Sequence, residues 1–168
     1  MTTIAASATH RSMAADSKAC TDDIHFGVFK LRTMPDGSIV GAAGEWGVIL
    51  KFYKFLEGNG EFDDDDADIS VLRLSHDGLH LFDFRSMQFY PIRQKFFAIG
   101  SGNGLAMGVL ATGGSPKTAI EVAAQWDEAT GLPVEVINLK RKSNATTLDP
   151  ARTDRKSTRL NSSHLGIS

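Results

Sequence analysis

The residue at position 2 has the groups needed for acyl-transfer chemistry. If Met1 is removed, as is expected before a small residue such as threonine, Thr2 carries a hydroxyl and a free α-amine. One residue then supplies both a nucleophile and the base that activates it. Asp16 follows fourteen positions later, where a strand would ordinarily place an apolar side chain. Taken alone, Thr2 is more typical of an ordinary frayed terminus, so the elements and motifs that follow decide between the two interpretations.

The elements nearest to Thr2 are predicted to be strands. Residues 2–6 are β-prone, and residues 12–19 have the pattern of a hairpin partner. Residues 26–32 are rich in aromatic and β-branched side chains, which is typical of a strand. The tripeptide Pro35-Asp36-Gly37 predicts a turn, and residues 38–43 follow it as the next strand. The first forty residues are therefore predicted to form a β-meander.

The remaining elements include helices. Helical spacing of apolar residues predicts a helix over 46–57. The strands predicted at 69–74 and 79–84 flank a hairpin turn. Beyond them we predict a short strand at 96–99, helices at 105–111 and 116–126 with Ser115 as N-cap, and a last strand at 134–139. Segregated strands and helices favour an α+β fold, most economically two antiparallel sheets between helical layers.

Composition limits the class of protein. The 168 residues suit one domain, and 42% hydrophobic with 23% charged residues is ordinary for a globular protein. No apolar run approaches the ~20 residues that span a bilayer, and we expect no secretory signal. The single cysteine, Cys20, excludes an internal disulfide, which favours a cytoplasmic location. Residues 1–139 have a net charge of −7, which argues against a nucleic-acid-binding face.

The C-terminal part differs from this body. Residues 140–168 contain seven Lys or Arg and two Asp or Glu, with few large apolar side chains, so we expect a disordered basic tail. Its end, residues 155–168, resembles the translation of a sequencing adapter, and we exclude it from functional reasoning. The alternative is a genuine tail that binds nucleic acid or a protein partner. The domain is accordingly predicted to cover residues 1–139.

Five short motifs occur in an order that resembles proteasome β-type subunits, and most closely the HslV peptidase and short proteasome-like proteins of phages and bacteria. They are Met1-Thr2-Thr3-Ile4, Ala15-Asp16, Phe29-Lys30-Leu31-Arg32, Gly41-Ala42-Ala43-Gly44 and Phe97-Ala98-Ile99-Gly100-Ser101-Gly102. The resemblance extends from Thr2 to about Leu139. It implies the N-terminal-nucleophile hydrolase fold, a four-layer αββα sandwich.

The resemblance also implies roles for individual residues. Thr2 would be the nucleophile of a threonine peptidase, with its own α-amine as base. Lys30 matches the family's catalytic lysine, and Asp16 matches the acidic partner that keeps this lysine charged and oriented. Gly44 would offer a backbone N–H to the oxyanion, and Ser101 matches the serine that forms a hydrogen bond near the nucleophile's amine. No metal or organic cofactor is required by this chemistry.

Partners follow from the same resemblance. It implies a peptide or protein substrate and self-assembly into a ring, with an ATPase unfoldase as a possible partner. One departure from the family is large, because helix 46–57 is followed almost at once by the strand at 69, whereas relatives have a second long helix there. We therefore expect a truncated helical layer, which puts stacking into double rings in doubt.

Simpler interpretations remain open at this point. Asp16 and Lys30 could form a purely structural salt bridge, or Lys30 could face solvent. The role of Gly44 could be limited to capping the following helix, and the role of the glycines around Ser101 could be limited to forming a tight turn. The whole protein could be a non-catalytic proteasome-like scaffold, or an amidase acting on small molecules. The acidic run at 63–66 is interpreted as a solvated loop because it lacks the ligand spacing of a calcium loop.

Overall fold

The computed structural model describes residues 2–21, 24–63 and 68–141. Met1, most of the acidic run and the predicted tail from residue 142 lie outside the described residues. The strands are β1 (Thr3–Ser7), β2 (Ser12–Asp16), β3 (Lys18–Thr21), β4 (Ile24–Gly27), β5 (Leu31–Thr33), β6 (Ile39–Gly44), β7 (Ile69–Ser75), β8 (Gly78–Asp83), β9 (Gln88–Pro91), β10 (Phe96–Gly100) and β11 (Val134–Asn138). The helices are α1 (Trp46–Leu56), α2 (Asn103–Ala111) and α3 (Pro116–Trp126).

One antiparallel sheet has the strand order β10-β1-β2-β11. Strand β1 lies inside it, with Ala5 opposite both Ala14 of β2 and Ala98 of β10. These three alanines pack against α2 and α3, and their small size lets the helices approach the sheet closely. Because both faces of this sheet are covered, β1 and β2 are buried along their whole length rather than at alternate positions.

The second large sheet is also antiparallel, with the order β5-β6-β7-β8-β9, and β3 and β4 form a separate hairpin. Apolar side chains from both large sheets meet between them, including Ile4 and Met13 from one sheet and Leu72 and Leu74 from the other. The two sheets therefore pack face to face around the central core.

Helices cover the two outer faces. Helices α2 and α3 lie on the four-stranded sheet, and α1 lies on the five-stranded sheet. Ser115 caps α3 by accepting a hydrogen bond from the Thr118 N–H at 3.2 Å, with Pro116 at the first helical position, as predicted. The layers confirm the predicted αββα sandwich, and in the described residues the five-stranded sheet carries the single helix α1.

Helix α1 is anchored by aromatic rings. The ring of Phe52 lies 4.8 to 6.0 Å, centroid to centroid, from each of four other phenylalanine rings, those of Phe55, Phe62, Phe82 and Phe84. Two of these four pairs, those with Phe62 and Phe82, are edge-to-face, the arrangement that aromatic quadrupoles favour. Phe52 is fully buried, so it fixes α1 on the sheet.

Two local predictions were wrong, and one strand was missed. The strand predicted over 12–19 breaks at Ser17, where the chain leaves the four-stranded sheet and β3 pairs with β4 instead. The strand predicted over 26–32 is interrupted at 28–30, because side chains rather than a neighbouring strand bind the Lys30 backbone. Strand β9 was not predicted, and it pairs with β8 at the sheet edge. None of the helices in the described part is long and apolar enough to cross a membrane.

Candidate active site

Thr2 lies at the entrance to β1, beside a small open pocket. The residue is only 5% exposed, and its carbonyl oxygen accepts a hydrogen bond from the Ser101 N–H at 3.1 Å. The pocket has a volume of about 200 Å³ and is lined by Thr2, Ala43, Gly44, Asp68, Ser70, Gly100 and Ser101. The structure therefore brings together three of the predicted site residues, Thr2, Gly44 and Ser101, around one cavity.

Asp16, at the end of β2, is completely buried, and both of its carboxylate oxygens accept hydrogen bonds. Its Oδ1 accepts the Thr3 N–H at 2.9 Å, and its Oδ2 accepts the Lys18 and Gly131 N–H groups at 3.1 and 3.2 Å. The Lys30 ammonium binds both oxygens at 2.9 and 3.0 Å. Three main-chain donors and one cation compensate the loss of water, which is what a buried carboxylate requires.

Lys30 points inward, so the alternative of a solvent-facing side chain is wrong. It is 1% exposed, and besides Asp16 its ammonium donates to the Lys18 carbonyl oxygen at 2.5 Å. Burial lowers the pKa of Lys30 below the ordinary 10.5, although the Asp16 carboxylate opposes this shift. The ammonium is held in a fixed position, and it gives up its proton more readily than an exposed lysine does.

A shared oxygen connects Lys30 to the start of the chain. Oδ1 of Asp16 accepts both the Lys30 ammonium and the Thr3 N–H. The Thr3 nitrogen is bonded to the Thr2 carbonyl carbon. Only one carboxylate oxygen and one peptide N–H therefore lie between the Lys30 ammonium and the Thr2 carbonyl carbon. The predicted Asp16–Lys30 contact is thus present, and it lies next to residue 2.

Two further residues near Thr2 were missed in the sequence. The Ser101 hydroxyl donates to Oδ2 of Asp127 at 2.7 Å, and the Thr130 hydroxyl donates to the same oxygen. The Thr130 oxygen also lies 2.6 Å from the Thr3 hydroxyl oxygen, which accepts the Gly102 N–H at 2.8 Å. This network joins the strand containing Thr3 to the loop after α3. The polar residues between the end of α3 and Gly131 were the feature of the sequence that could have indicated Asp127 and Thr130.

Burial works to raise the pKa of Asp127, but the hydrogen bonds from Thr130 and Ser101 outweigh it, so the pKa is lowered overall. Asp127 is therefore an ionised acceptor at neutral pH, and the Ser101 hydroxyl is oriented as its donor. Ser101 lies beside Thr2 and contacts it through its main-chain N–H, so the predicted hydrogen bond of Ser101 near the α-amine stays a prediction.

Gly44 occupies a position that other residues fit poorly. Its φ is 140°, and a β-carbon there would collide with the Asp68 carbonyl oxygen. Gly44 ends β6 opposite Ile69 and lines the pocket beside Thr2. The missing side chain lets the backbone of Asp68 and Ile69 approach Gly44 closely, and the predicted role of Gly44 as oxyanion donor stays a prediction.

Substituting Gly100 is expected to have a measurable effect on the stability of the fold. With φ at 94°, a β-carbon at Gly100 would overlap the Thr2 carbonyl oxygen, so Gly100→Ala is expected to destabilise the fold by at least about 2 kcal/mol. Urea denaturation would measure the change in the free energy of unfolding. The matched control is Gly104→Ala in α2, where a β-carbon meets open space and a gain of about 0.5–1 kcal/mol is expected. Equal stability of the two variants would contradict the close approach of Gly100 to Thr2.

Solved structures resemble this chain throughout its sandwich. Thiobacillus denitrificans BPH in complex with epoxomicin is similar with a TM-score of 0.62 and 18% identity, over 83% of this chain and 100% of that one. A second Thiobacillus denitrificans BPH structure gives 0.56 and 20%, over 83% and 98%. HslV from Trypanosoma brucei gives 0.55 and 19%, over 81% and 99%. No protein-family model matches the chain, and neither does any curated protein.

These likenesses define the class of fold. The chain has the antiparallel αββα sandwich of N-terminal-nucleophile hydrolases. Within that class, its fold is that of the proteasome β and HslV-like proteins. Identities of 18–20% establish the fold alone, so the reaction has to be argued from the site.

Proposed function

We propose that the protein is a threonine-type peptidase whose nucleophile is Thr2 after removal of Met1. The observation that supports this most strongly is the buried Lys30 ammonium, bound to an Asp16 oxygen that also binds the Thr3 N–H. Burying an ion pair is costly compared with burying apolar side chains of similar volume. The Asp16–Lys30 ion pair lies directly behind Thr3, the first residue of β1, and beside an open pocket. This position favours a chemical role for the pair over a purely structural one.

The reaction proceeds in two steps. The Thr2 hydroxyl oxygen attacks the substrate carbonyl carbon, and its proton passes to the α-amine, through a water. The tetrahedral oxyanion binds the Gly44 N–H. The C–N bond then breaks, the leaving amine takes the proton from the α-ammonium group, and an ester to Thr2 remains. A water molecule, deprotonated by the α-amine, attacks the ester, and the free threonine hydroxyl and a carboxylic acid are released.

The neighbouring groups favour this sequence electrostatically. The positive charge of Lys30 lowers the pKa of nearby groups, and Asp16 keeps that charge in place. A hydroxyl and an amine on one residue have a fixed mutual geometry, which supplies much of the proximity that bimolecular catalysis lacks. Ser101, Asp127 and Thr130 orient the main chain around Thr2 and Thr3 through hydrogen bonds.

Peptide or protein substrates, ring assembly and a cytoplasmic location belong to the same proposal. Several large apolar side chains in the described residues are exposed, among them Phe29 at 75% and Trp126 at 76%. Burying such side chains in contacts between subunits would be favourable. An assembly of identical subunits would cover these side chains, and an ATPase partner would act on such an assembly. We further propose residues 1–139 as the folding unit.

Epoxomicin provides the direct test. This peptide epoxyketone needs both the hydroxyl and the α-amine of an N-terminal threonine, and Thiobacillus denitrificans BPH has been obtained in complex with it. We expect the purified protein to lack Met1 and to gain the mass of one inhibitor per chain, with the adduct on Thr2 in peptide mapping. Acetylation of the α-amine before treatment is the control, and it should prevent the adduct. Retention of Met1, or a Met1-free chain that forms no adduct, would favour the non-catalytic scaffold.

A further inference from the structure

Lys30 lies in a stretch of backbone that belongs to no strand. Residues 28–30 separate β4 from β5, and side chains bind the main-chain groups of Lys30. Oε2 of Glu135 accepts the Lys30 N–H at 2.6 Å and the Leu31 N–H at 3.1 Å. The Tyr53 hydroxyl donates to the Lys30 carbonyl oxygen at 2.6 Å. The backbone of Lys30 is therefore bound from two sides.

Glu135 occupies a position where an apolar residue would be expected. It shares one face of β11 with Ile137, which packs against the core between the sheets. A carboxylate on that face loses solvation, and the two N–H bonds compensate for the loss. The carboxylate also lies close enough to Lys30 for its negative charge to favour the ammonium form.

Tyr53 reaches Lys30 from the opposite side of the five-stranded sheet. It is buried, and burial is the main reason why its pKa is raised far above the ordinary value, so the phenol stays protonated and remains a donor. The Arg32 guanidinium lies 5.2 Å from the centre of the Tyr53 ring and fixes its orientation.

We propose that Glu135 and Tyr53 are positioning residues for the catalytic lysine: they fix its backbone, and Glu135 acts as a second carboxylate that keeps its ammonium charged. The inference rests on the proposed function, because it assumes that the charge of Lys30 assists Thr2. The contacts bring together β11 and α1, the elements that flank Lys30, and none of these contacts involves Asp16. They fix the backbone from which the ammonium extends, and they do so independently of its ion pair.

The groups that face Lys30 set the sign of the pH effect. Asp16 on β2, Cys20 on β3 and Glu135 on β11 all favour the charged form, while burial opposes it. The ammonium pKa lies below 10.5, so activity that requires the charge is lost on the alkaline side, below the pH at which a free lysine titrates. Removing the Glu135 charge lowers that pKa further and moves the loss to lower pH.

Two variants separate charge from geometry. Glu135→Gln keeps an acceptor oxygen but removes the charge, so the alkaline limb of the kcat profile is expected to move to lower pH. Tyr53→Phe keeps the ring but releases the Lys30 carbonyl, so kcat is expected to fall about tenfold to a hundredfold with KM unchanged. The control is Glu121→Gln on α3, which removes the same charge from an exposed ion pair with Lys117 and should change neither parameter.

A second readout does not depend on catalysis. The ammonium of Lys30, isotopically labelled at the ζ nitrogen, is titrated by NMR in wild type and in Glu135→Gln. We expect the variant to lose its proton at lower pH, and identical titrations with superimposable kcat profiles would overturn the role of Glu135. A Tyr53→Phe variant whose kcat falls only in proportion to its folded fraction, measured by circular dichroism, would overturn the role of Tyr53. If Thr2→Ala proves fully active while the titrations still differ, the proposed function fails and the electrostatic link between Glu135 and Lys30 survives.

Discussion

Thr2→Ala is expected to lower the hydrolysis of fluorogenic peptides by at least about a thousandfold, because it removes the hydroxyl that shares a residue with the α-amine. The fold should be retained. The Thr2 carbonyl still accepts the Ser101 N–H, and the Thr3 N–H still binds Asp16, since both contacts use main-chain atoms of residues 2 and 3. The measurement is the initial rate over a mixed peptide panel, with a thermal melt on the same sample.

Two matched variants strengthen this test. Thr2→Ser keeps a hydroxyl beside the α-amine and should retain measurable activity. Thr112→Ala removes a threonine hydroxyl at the end of α2, where that hydroxyl donates to the Val109 carbonyl on an exposed surface, and should have no effect on the rate. Equal rates for wild type and Thr2→Ala would end the threonine-nucleophile proposal.

Lys30→Met is expected to lose turnover to a similar extent and also to reduce stability. Methionine preserves most of the side-chain volume, but it leaves the buried Asp16 carboxylate without its cation, which destabilises a fold by about 3–5 kcal/mol. Three main-chain N–H groups still bind that carboxylate, so a folded population should remain at low temperature. Urea denaturation and peptide hydrolysis on the same preparation would measure both effects.

A double variant separates the two effects. Combining Lys30→Met with Asp16→Asn removes both charges, although the new amide NH2 then faces a main-chain N–H, so only part of the lost stability is expected to return while turnover stays absent. Lys117→Met is the control for removing a lysine, because its ion pair with Glu121 is exposed and contributes little. A folded, active Lys30→Met variant would show that the buried ion pair is only structural.

The element types were largely predictable from local patterns. Turn sequences such as Pro35-Asp36-Gly37 and the cap formed by Ser115 and Pro116 act between neighbouring residues, so the sequence displays them directly. The breaks at Ser17 and at residues 28–30 are different. They depend on partners far along the chain, such as Gly131, whose carbonyl accepts the Ser17 N–H, and a local pattern contains no information about them.

The same distinction applies to the site. Motif order was sufficient to single out Thr2, Asp16 and Lys30, and the structure brings Asp16 and Lys30 into contact beside the start of the chain. Glu135 was not found, because it lies 105 positions from Lys30, and a glutamate in a predicted strand is usually solvated. Tyr53 follows the apolar spacing that predicts helix α1, and that spacing contains no information about its hydroxyl, which binds the lysine backbone.

Phe52 and Tyr53 are consecutive residues of α1, and they make different kinds of contact. Phe52 is enclosed by other phenylalanine rings, whereas the hydroxyl of Tyr53 binds the Lys30 carbonyl. A helix rotates as a unit, so a small turn of α1 about its axis would disturb the ring cluster and stretch the bond to Lys30 at the same moment. The rigidity of the phenylalanine cluster around Phe52 thus helps to determine how steadily the Lys30 ammonium is held.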